Sequence, residues 1–211
     1  YEISGNNVVS QQSISICLDG VSTENILFFP SSEVSECILS QHIQIKNVNI
    51  DRDWWAQKVS IIIEERQPYA YLILYPRNYL IDRDGVVLNH EAEDMYPVET
   101  LDLPMITGLT TENVLTKDRI PMNLIKFIRN IISTLSEFIP REGIKIDVTD
   151  RQDITVLSSD LILIRLGRLS QIGEKSSALH LLLTDIRGWI HDVEYIDIRY
   201  PTVPVVKYLE P

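Results

Sequence analysis

The hydrophobic residues in the first part of the chain follow two different periods. Apolar spacings of three and four predict a helix over residues 11–18, capped by Ser10, and a second over residues 30–42. Residues 43–50 and 58–65 instead alternate between apolar and polar, which predicts two strands. A short strand at the N-terminus completes a three-stranded sheet, provided that it pairs with this hairpin.

Beyond about residue 68, strand patterns dominate and two longer helices interrupt them. Strands are predicted at residues 69–75, 79–82, 86–88, 144–148, 154–157, 161–166 and 193–200. Helical spacing predicts amphipathic helices over residues 123–138 and 174–187. Residues 91–102 contain five acidic residues and no Lys or Arg, which predicts a solvated loop that residues 103–108 end.

These patterns predict an α+β fold in two domains. Residues 1–68 form a small domain with a three-stranded sheet and two helices. Residues 69–211 form a mixed α/β domain with a mainly antiparallel sheet and two helices. The chain then ends in an apolar segment, residues 203–207, with prolines around it, which is typical either of an edge strand that accepts another strand or of one protected against pairing.

An aromatic pair, Trp54-Trp55, interrupts the hairpin of the first domain. Large aromatic side chains are costly in water, so they either pack beneath the hairpin or contact a partner. We expect them to pack beneath it.

The charge of the chain excludes several classes of partner. Nineteen Lys and Arg residues against thirty Asp and Glu residues give a net charge of −11, which opposes binding to nucleic acid and argues against a polybasic lipid-binding patch. No run of about 18 apolar residues occurs. The chain begins at Tyr1 without Met or a signal peptide, so we expect a fragment whose targeting or anchoring segment lies upstream.

No pattern in the chain supports catalysis, a metal or a cofactor. Residues 167–176 resemble a phosphate-binding loop, but five residues separate the glycines and an acidic residue precedes the lysine. Residues 82–85 begin like a calcium loop and lack its later ligands. The four histidines never lie three or four residues apart. Cys17 and Cys37 fit neither a disulfide framework nor a metal site, and we expect two small buried residues.

Several short strings, in order, resemble the extracytoplasmic region of the bacterial cell-division family FtsQ/DivIB. The most specific string is Glu65-Arg66-Gln67-Pro68, which is similar to the Glu-Arg-x-Pro that joins the family's POTRA domain to its second, β domain. Others are Gly5-Asn6, the hairpin around Gly85, Leu166-Gly167-Arg168 and Asp197-Ile198-Arg199-Tyr200. The resemblance assigns structural roles to Gly5, Asn6, Glu65, Arg66, Pro68, Gly85 and Gly167.

The resemblance implies a POTRA domain over residues 1–68 and a β domain over residues 69–211. It implies a non-enzymatic divisome scaffold that spans the inner membrane once, through a helix upstream of this chain, with this region on the periplasmic side at the division septum. Implied partners are FtsB-like and FtsL-like proteins and the septal peptidoglycan synthase complex. An exported compartment would also permit Cys17 and Cys37 to pair.

The resemblance places the partner-binding residues near the C-terminus. Arg199 and Tyr200 would lie on the partner-facing strand, where the Arg199 fork could hold a partner carboxylate. Arg151 would be a second basic contact, and the apolar edge contacts would be Val203, Val205 and Val206. The alternative function is a POTRA-containing envelope or outer-membrane assembly module that binds unfolded strands.

Overall fold

The computed structural model describes residues 1–21, 26–75, 77–88, 102–114, 118–188 and 190–209. It divides into two compact units, Tyr1–Gln67 and Pro68–Pro211. Nearly all of the predicted acidic loop over residues 91–102 lies outside the described residues. No helix in the described ranges combines the length and apolar character that a membrane crossing requires.

The first unit is a three-stranded sheet with two helices. Its strands are β1 (Glu2–Ser4), β2 (Ile45–Asp53) and β3 (Lys58–Glu65), and its helices are α1 (Gln11–Ser15) and α2 (Ser31–Gln41). The sheet order is β1-β3-β2, with β1 parallel and β2 antiparallel to the central β3. The N-terminal strand therefore pairs with the hairpin as predicted. The Ser10 hydroxyl caps α1 by accepting a hydrogen bond from the Ser13 amide at 3.1 Å.

One side of this sheet holds the core of the unit. Strand β3 buries every second residue, and Ile61 from β3 joins Ile14 and Ile38 from the two helices, all three without exposed surface. Cys17 and Cys37 form a disulfide with their Cα atoms 5.8 Å apart. The prediction of two unpaired buried cysteines is therefore wrong, because packing brings together two residues that are twenty positions apart in the chain.

The second unit contains a nine-stranded sheet and three helices in its described part. The strands are β4 (Pro68–Leu74), β5 (Arg77–Asp82), β6 (Val87–Leu88), β7 (Met105–Thr107), β8 (Lys145–Asp147), β9 (Ile154–Leu157), β10 (Leu163–Gly167), β11 (Val193–Asp197) and β12 (Val205–Tyr208). The helices are α3 (Thr111–Val114), α4 (Met122–Leu135) and α5 (Ile172–Asp185). The order across the sheet is β12-β11-β10-β9-β8-β7-β4-β5-β6.

The predicted fold class is confirmed, because both units combine helices with a sheet. Five of the eight pairings between these nine strands are antiparallel. Helix α4 buries seven residues and packs against α5, and residues from both helices and from the sheet share one hydrophobic core. Leu72 and Phe127 are fully buried in it. Among the described strands, the order of the sheet leaves β12 and β6 at its two edges.

The structure differs from the sequence predictions in two strands. Residues 105–107 form β7, which pairs between β4 and β8, although the sequence pattern reads as the end of a loop. The three residues lie between Pro104 and Gly108, which in the sequence mark a loop. Strand β11 ends at Asp197 and not at Tyr200, because the Asp197 side chain accepts a hydrogen bond from the Arg199 amide.

Candidate functional site

The C-terminal strand β12 forms one edge of the nine-stranded sheet. It pairs antiparallel with β11, with Val205 opposite Asp197 and Val206 opposite Ile196. No strand of the described residues pairs with its other side. Tyr200, Val203, Val205 and Tyr208 are exposed here. This edge therefore combines main-chain groups that another strand could use with exposed apolar side chains.

The turn before β12 is shaped by the Asp197 carboxylate. It accepts hydrogen bonds from the Arg199 amide at 3.1 Å and from Arg199 Nε and Nη2 at 3.0 and 2.6 Å. A side chain that captures the amide two residues later diverts the backbone from a strand into a turn. Arg199 and Tyr200 consequently follow the strand, so the prediction that they lie on it is wrong.

The ion pair between Asp197 and Arg199 also decides the electrostatics of the turn. Burial pushes the pKa of Asp197 upward, but the hydrogen bonds and the charge of Arg199 outweigh it and lower the pKa overall. The pKa of Arg199 is raised, chiefly by its hydrogen bond to Asp197. The guanidinium fork therefore already holds a carboxylate of its own chain.

Gly167 at the end of β10 allows Arg199 to take this position. Its φ is +66°, and a Cβ atom there would lie 2.9 Å from Arg199 Cγ. Only glycine both adopts this backbone conformation readily and leaves room for the arginine. Gly167 therefore supports the candidate site because it lets the Arg199 side chain pack against the backbone of β10.

A cleft of about 410 Å³ lies beside the turn. Its lining residues are Gln152, Gly167, Arg168, Ser170, Gln171, Lys175, Arg199 and Tyr200. Lys175 is only 1% exposed and donates a hydrogen bond from Nζ to the Arg168 carbonyl at 2.6 Å. Burial lowers its pKa. Three basic side chains therefore converge on one cleft of a strongly acidic protein.

The structure brings together some of the predicted contacts and separates others. Tyr200 is 75% exposed and lines the cleft, and Val203 and Val205 are exposed beside it. Val206 instead packs against the hydrophobic core, as alternation along β12 requires. Arg151 is exposed in the turn between β8 and β9, where its neighbour Gln152 lines the cleft.

Two residues of this site carried no functional signal in the sequence. Asp197 reads as one more residue of a strand, and Lys175 reads as part of a failed phosphate loop. Only the fold shows that Asp197 holds Arg199 and that Lys175 is buried.

The other family-motif residues stabilise the two units from within. Glu65 accepts hydrogen bonds from the amides of Asn7, Val8 and Val9, and Arg66 donates from Nε to the Ile43 carbonyl at 3.0 Å. Asn6 donates to the Val9 carbonyl at 3.0 Å.

Gly5, Pro68 and Gly85 lie at turning points of the chain. Gly5 has a φ of +83° and lies against the Ile63 carbonyl, where a Cβ atom would clash. Pro68 begins β4, and Gly85 lies in the turn between β5 and β6. Within the described ranges, no group of three His, Cys, Asp or Glu side chains could hold a metal ion.

Comparison with known proteins identifies what the second unit is similar to. Residues 72–199 match the family described as cell division protein FtsQ/DivIB, C-terminal. The chain is also 23% identical over 212 aligned positions to the cell division protein FtsQ of Koribacter versatilis (strain Ellin345), covering 94% of this chain and 56% of that protein. The chain thus spans little more than half the length of this relative. These similarities favour a role in cell division over the envelope-assembly alternative.

Proposed function

Because the chain belongs to the FtsQ/DivIB family of cell-division proteins, we propose that it is the extracytoplasmic part of a non-enzymatic divisome scaffold. In this proposal the protein spans the inner membrane once through a helix upstream of Tyr1. Residues 1–68 are its POTRA domain, and residues 69–211 are the β domain that binds FtsB-like and FtsL-like proteins. Through them it acts on the septal peptidoglycan synthase complex.

The observation that carries this proposal is the edge strand β12. An added strand gains main-chain hydrogen bonds along an unpaired edge and gains specificity from the side chains next to it. Tyr200, Val203 and Val205 offer exposed apolar surface beside that edge. Pro201 and Pro204 lie before β12, so their missing amides do not interrupt the four residues that would pair with a partner strand.

The disulfide between Cys17 and Cys37 supports the extracytoplasmic placement. Disulfides persist in oxidising compartments such as the periplasm and are rare in the cytosol. The disulfide therefore argues for the outer side of the membrane independently of the family assignment.

In this proposal Arg199 positions the turn before β12, and its guanidinium group binds Asp197 of its own chain. Its Nε and Nη2 atoms hold Asp197, and this pair sets the turn that presents Tyr200. The cleft beside the turn, with Arg168 and the buried Lys175, provides the positive potential that an acidic partner segment would meet. Arg151 would extend this basic surface at its rim.

The test is binding of the purified chain to the extracytoplasmic segment of its own FtsB-like partner. Tyr200→Ala and Arg199→Glu are expected to weaken binding by about tenfold or more, as the loss of a hot-spot residue does. Tyr75→Ala, which removes another exposed tyrosine of the second unit, with 94% of its surface in solvent, is the matched control and should bind as the wild type does.

Hydrogen exchange locates the partner independently of the variants. The amides within residues 205–208 that point away from β11 should gain protection when the partner is saturating. Unchanged exchange at these amides, together with wild-type binding by both variants, would exclude β12 as the site. Complete failure of the wild type to bind an FtsB-like segment would contradict the proposed partner.

A further inference from the structure

The hairpin between β2 and β3 ends in two exposed tryptophans. Trp55 is 98% exposed and Trp54 is half exposed, so the expectation that this pair packs beneath the hairpin is wrong. The Asp53 carboxylate accepts hydrogen bonds from the Trp55 and Ala56 amides, both at 2.9 Å, and Gln57 adopts a φ of +50°. The exposed position of Trp55 therefore comes from a hydrogen-bonded turn and not from a frayed tip.

A second exposed apolar pair lies beside the same tip. Leu27 and Phe28 form a 3₁₀ turn, and Phe28 is 80% exposed. Arg52, the next-to-last residue of β2, donates a hydrogen bond from Nη2 to the Phe29 carbonyl at 2.8 Å. This bond ties the Leu27–Phe28 turn to the end of the sheet that carries the tryptophans.

The chain enters the first unit at this same end. Strand β1 runs parallel to β3, with Glu2 opposite Ser60, and the Glu2 carboxylate forms an ion pair with Lys58 at the base of the tip. Tyr1 therefore lies near the tryptophans. Strand β3 carries the chain away from this end and leaves the sheet at Glu65, at the opposite end.

We propose that Leu27, Phe28, Trp54 and Trp55, which we call the hairpin-end surface, dock into the lipid headgroup region of the membrane that anchors the chain. This inference rests on the proposed function, because it takes the membrane span to precede Tyr1. In that proposal the chain comes from the bilayer and enters the first unit at the end that carries the hairpin-end surface.

The chemistry of the hairpin-end surface matches a bilayer interface. Tryptophan is enriched at the headgroup level, where its indole N–H stays hydrated and its ring leaves water. Leucine and phenylalanine beside it enter the acyl boundary. The net charge of −11 still argues against a polybasic patch, so this contact is apolar and should persist as the salt concentration rises, unlike binding through basic residues.

Anchoring makes a weak contact sufficient. A tethered site binds at the effective concentration that its tether sets. Each aromatic side chain that leaves water on docking contributes to the free energy of docking. Loss of one of them should lower the equilibrium constant for docking of the tethered protein by about tenfold.

The experiment tethers the full chain to vesicles of phosphatidylethanolamine and phosphatidylglycerol that contain brominated lipid and a nickel-chelating lipid. A histidine tag at the N-terminus mimics the natural anchor, and a tag at the C-terminus provides the control orientation. The third tryptophan is replaced, Trp189→Phe, so that only Trp54 and Trp55 emit. We expect their emission to shift to the blue and to be quenched by bromine with the N-terminal tag, at low and at high salt, and much less with the C-terminal tag.

Substitutions then test the surface itself. Phe28→Ser should lower the equilibrium constant for docking, obtained from the quenching of the two tryptophans, by about tenfold. Tyr75→Ser, which replaces another exposed aromatic residue in the second unit, should leave this constant unchanged. Thermal unfolding of each variant checks that the fold is retained.

Binding of the FtsB-like segment, measured on the same tethered samples, separates this inference from the proposed function. Absent quenching with intact partner binding would overturn the membrane contact and leave the scaffold function in place. Equal quenching in both orientations would overturn it as well. The membrane contact would also be overturned if a Trp55→Ser variant lost binding to a protein partner while its quenching on vesicles stayed unchanged. Quenching as expected without partner binding would support the membrane contact and contradict the partner site.

Discussion

Glu65 is the residue whose replacement tests the structural role of the Glu-Arg-x-Pro string most directly. Its side chain is buried, with 7% of its surface exposed. Oε1 accepts hydrogen bonds from the Val8 and Val9 amides at 2.9 and 2.8 Å, and Oε2 accepts from Asn7 and Val8 at 3.0 Å each. One carboxylate thus holds three consecutive backbone amides between β1 and α1.

The change Glu65→Gln keeps the shape of the side chain and removes its charge and one acceptor. If the glutamine oxygen takes the Oε1 position, it still accepts hydrogen bonds from the Val8 and Val9 amides, but these bonds are weaker because the acceptor is uncharged. Its NH₂ group then faces the Asn7 amide, and two donors cannot form a hydrogen bond. A hydrogen bond to a charged group contributes about 1.5–3 kcal/mol, roughly twice a neutral one. We therefore expect the free energy of unfolding of the first unit to fall by about 2–4 kcal/mol.

Such a loss is large for a unit of this size, since small domains are only marginally stable. Hydrogen exchange of the buried β3 amides, followed across a urea series, measures it, because β3 is the central strand of the first unit. Hydrogen exchange at the Val8 and Val9 amides should accelerate together with global unfolding.

The matched control is the neighbouring residue, Glu64→Gln. Glu64 is exposed and forms only a 3.5 Å surface ion pair with Lys46, so its replacement should change the free energy of unfolding by no more than about 1 kcal/mol. If Glu65→Gln is no more destabilising than Glu64→Gln, the reasoning from the three amides is refuted.

Three further predictions concern the disulfide and the turn before β12. Replacing Cys17 and Cys37 by Ala should lower the stability of the first unit by about 3 kcal/mol relative to the oxidised wild type in urea denaturation, since the bond closes a loop across a separation of 20 residues; the reduced wild type should lose about as much. Gly167→Ala should cost about 1–2 kcal/mol and weaken partner binding, because the new Cβ displaces Arg199 and the backbone keeps a positive φ; unchanged binding in calorimetry would contradict this. The folded pKa of Asp197 is depressed, so its pair with Arg199 stabilises the folded state above the unfolded pKa, about 3.9, and this contribution disappears as the pH falls through the lower folded pKa. An Asp197→Asn variant should lose that part of the pH dependence in acid titrations.

The sequence predicted the elements with long or regular patterns well. Strands β3 and β9 begin and end at the predicted residues, and α2 ends next to the predicted His42. Periods of two and of three to four residues reflect which side of an element faces the core, so they survive in any tertiary context. The resemblance to the FtsQ/DivIB family, based on short strings in order, is confirmed by the match over residues 72–199.

Short or locally diverted segments escaped this reasoning. Strand β7 lies between Pro104 and Gly108, which favour a loop. The Asp197 side chain ends β11 through hydrogen bonds that no apolar period records. No apolar period records either that the Arg199 guanidinium holds a carboxylate from two residues earlier in the chain, and the contact of Arg199 with a partner stays a prediction.

The sequence by itself determined the fold class, the order of most elements and the family, because these depend on local periods and on short strings. Only the tertiary structure decided that Cys17 meets Cys37, that Lys175 is buried beside an exposed Tyr200, and that Trp55 projects from the end at which the chain begins. Each of these facts depends on which distant segments pack together. Packing is a property of the whole core, and neighbouring residues in a sequence do not encode it.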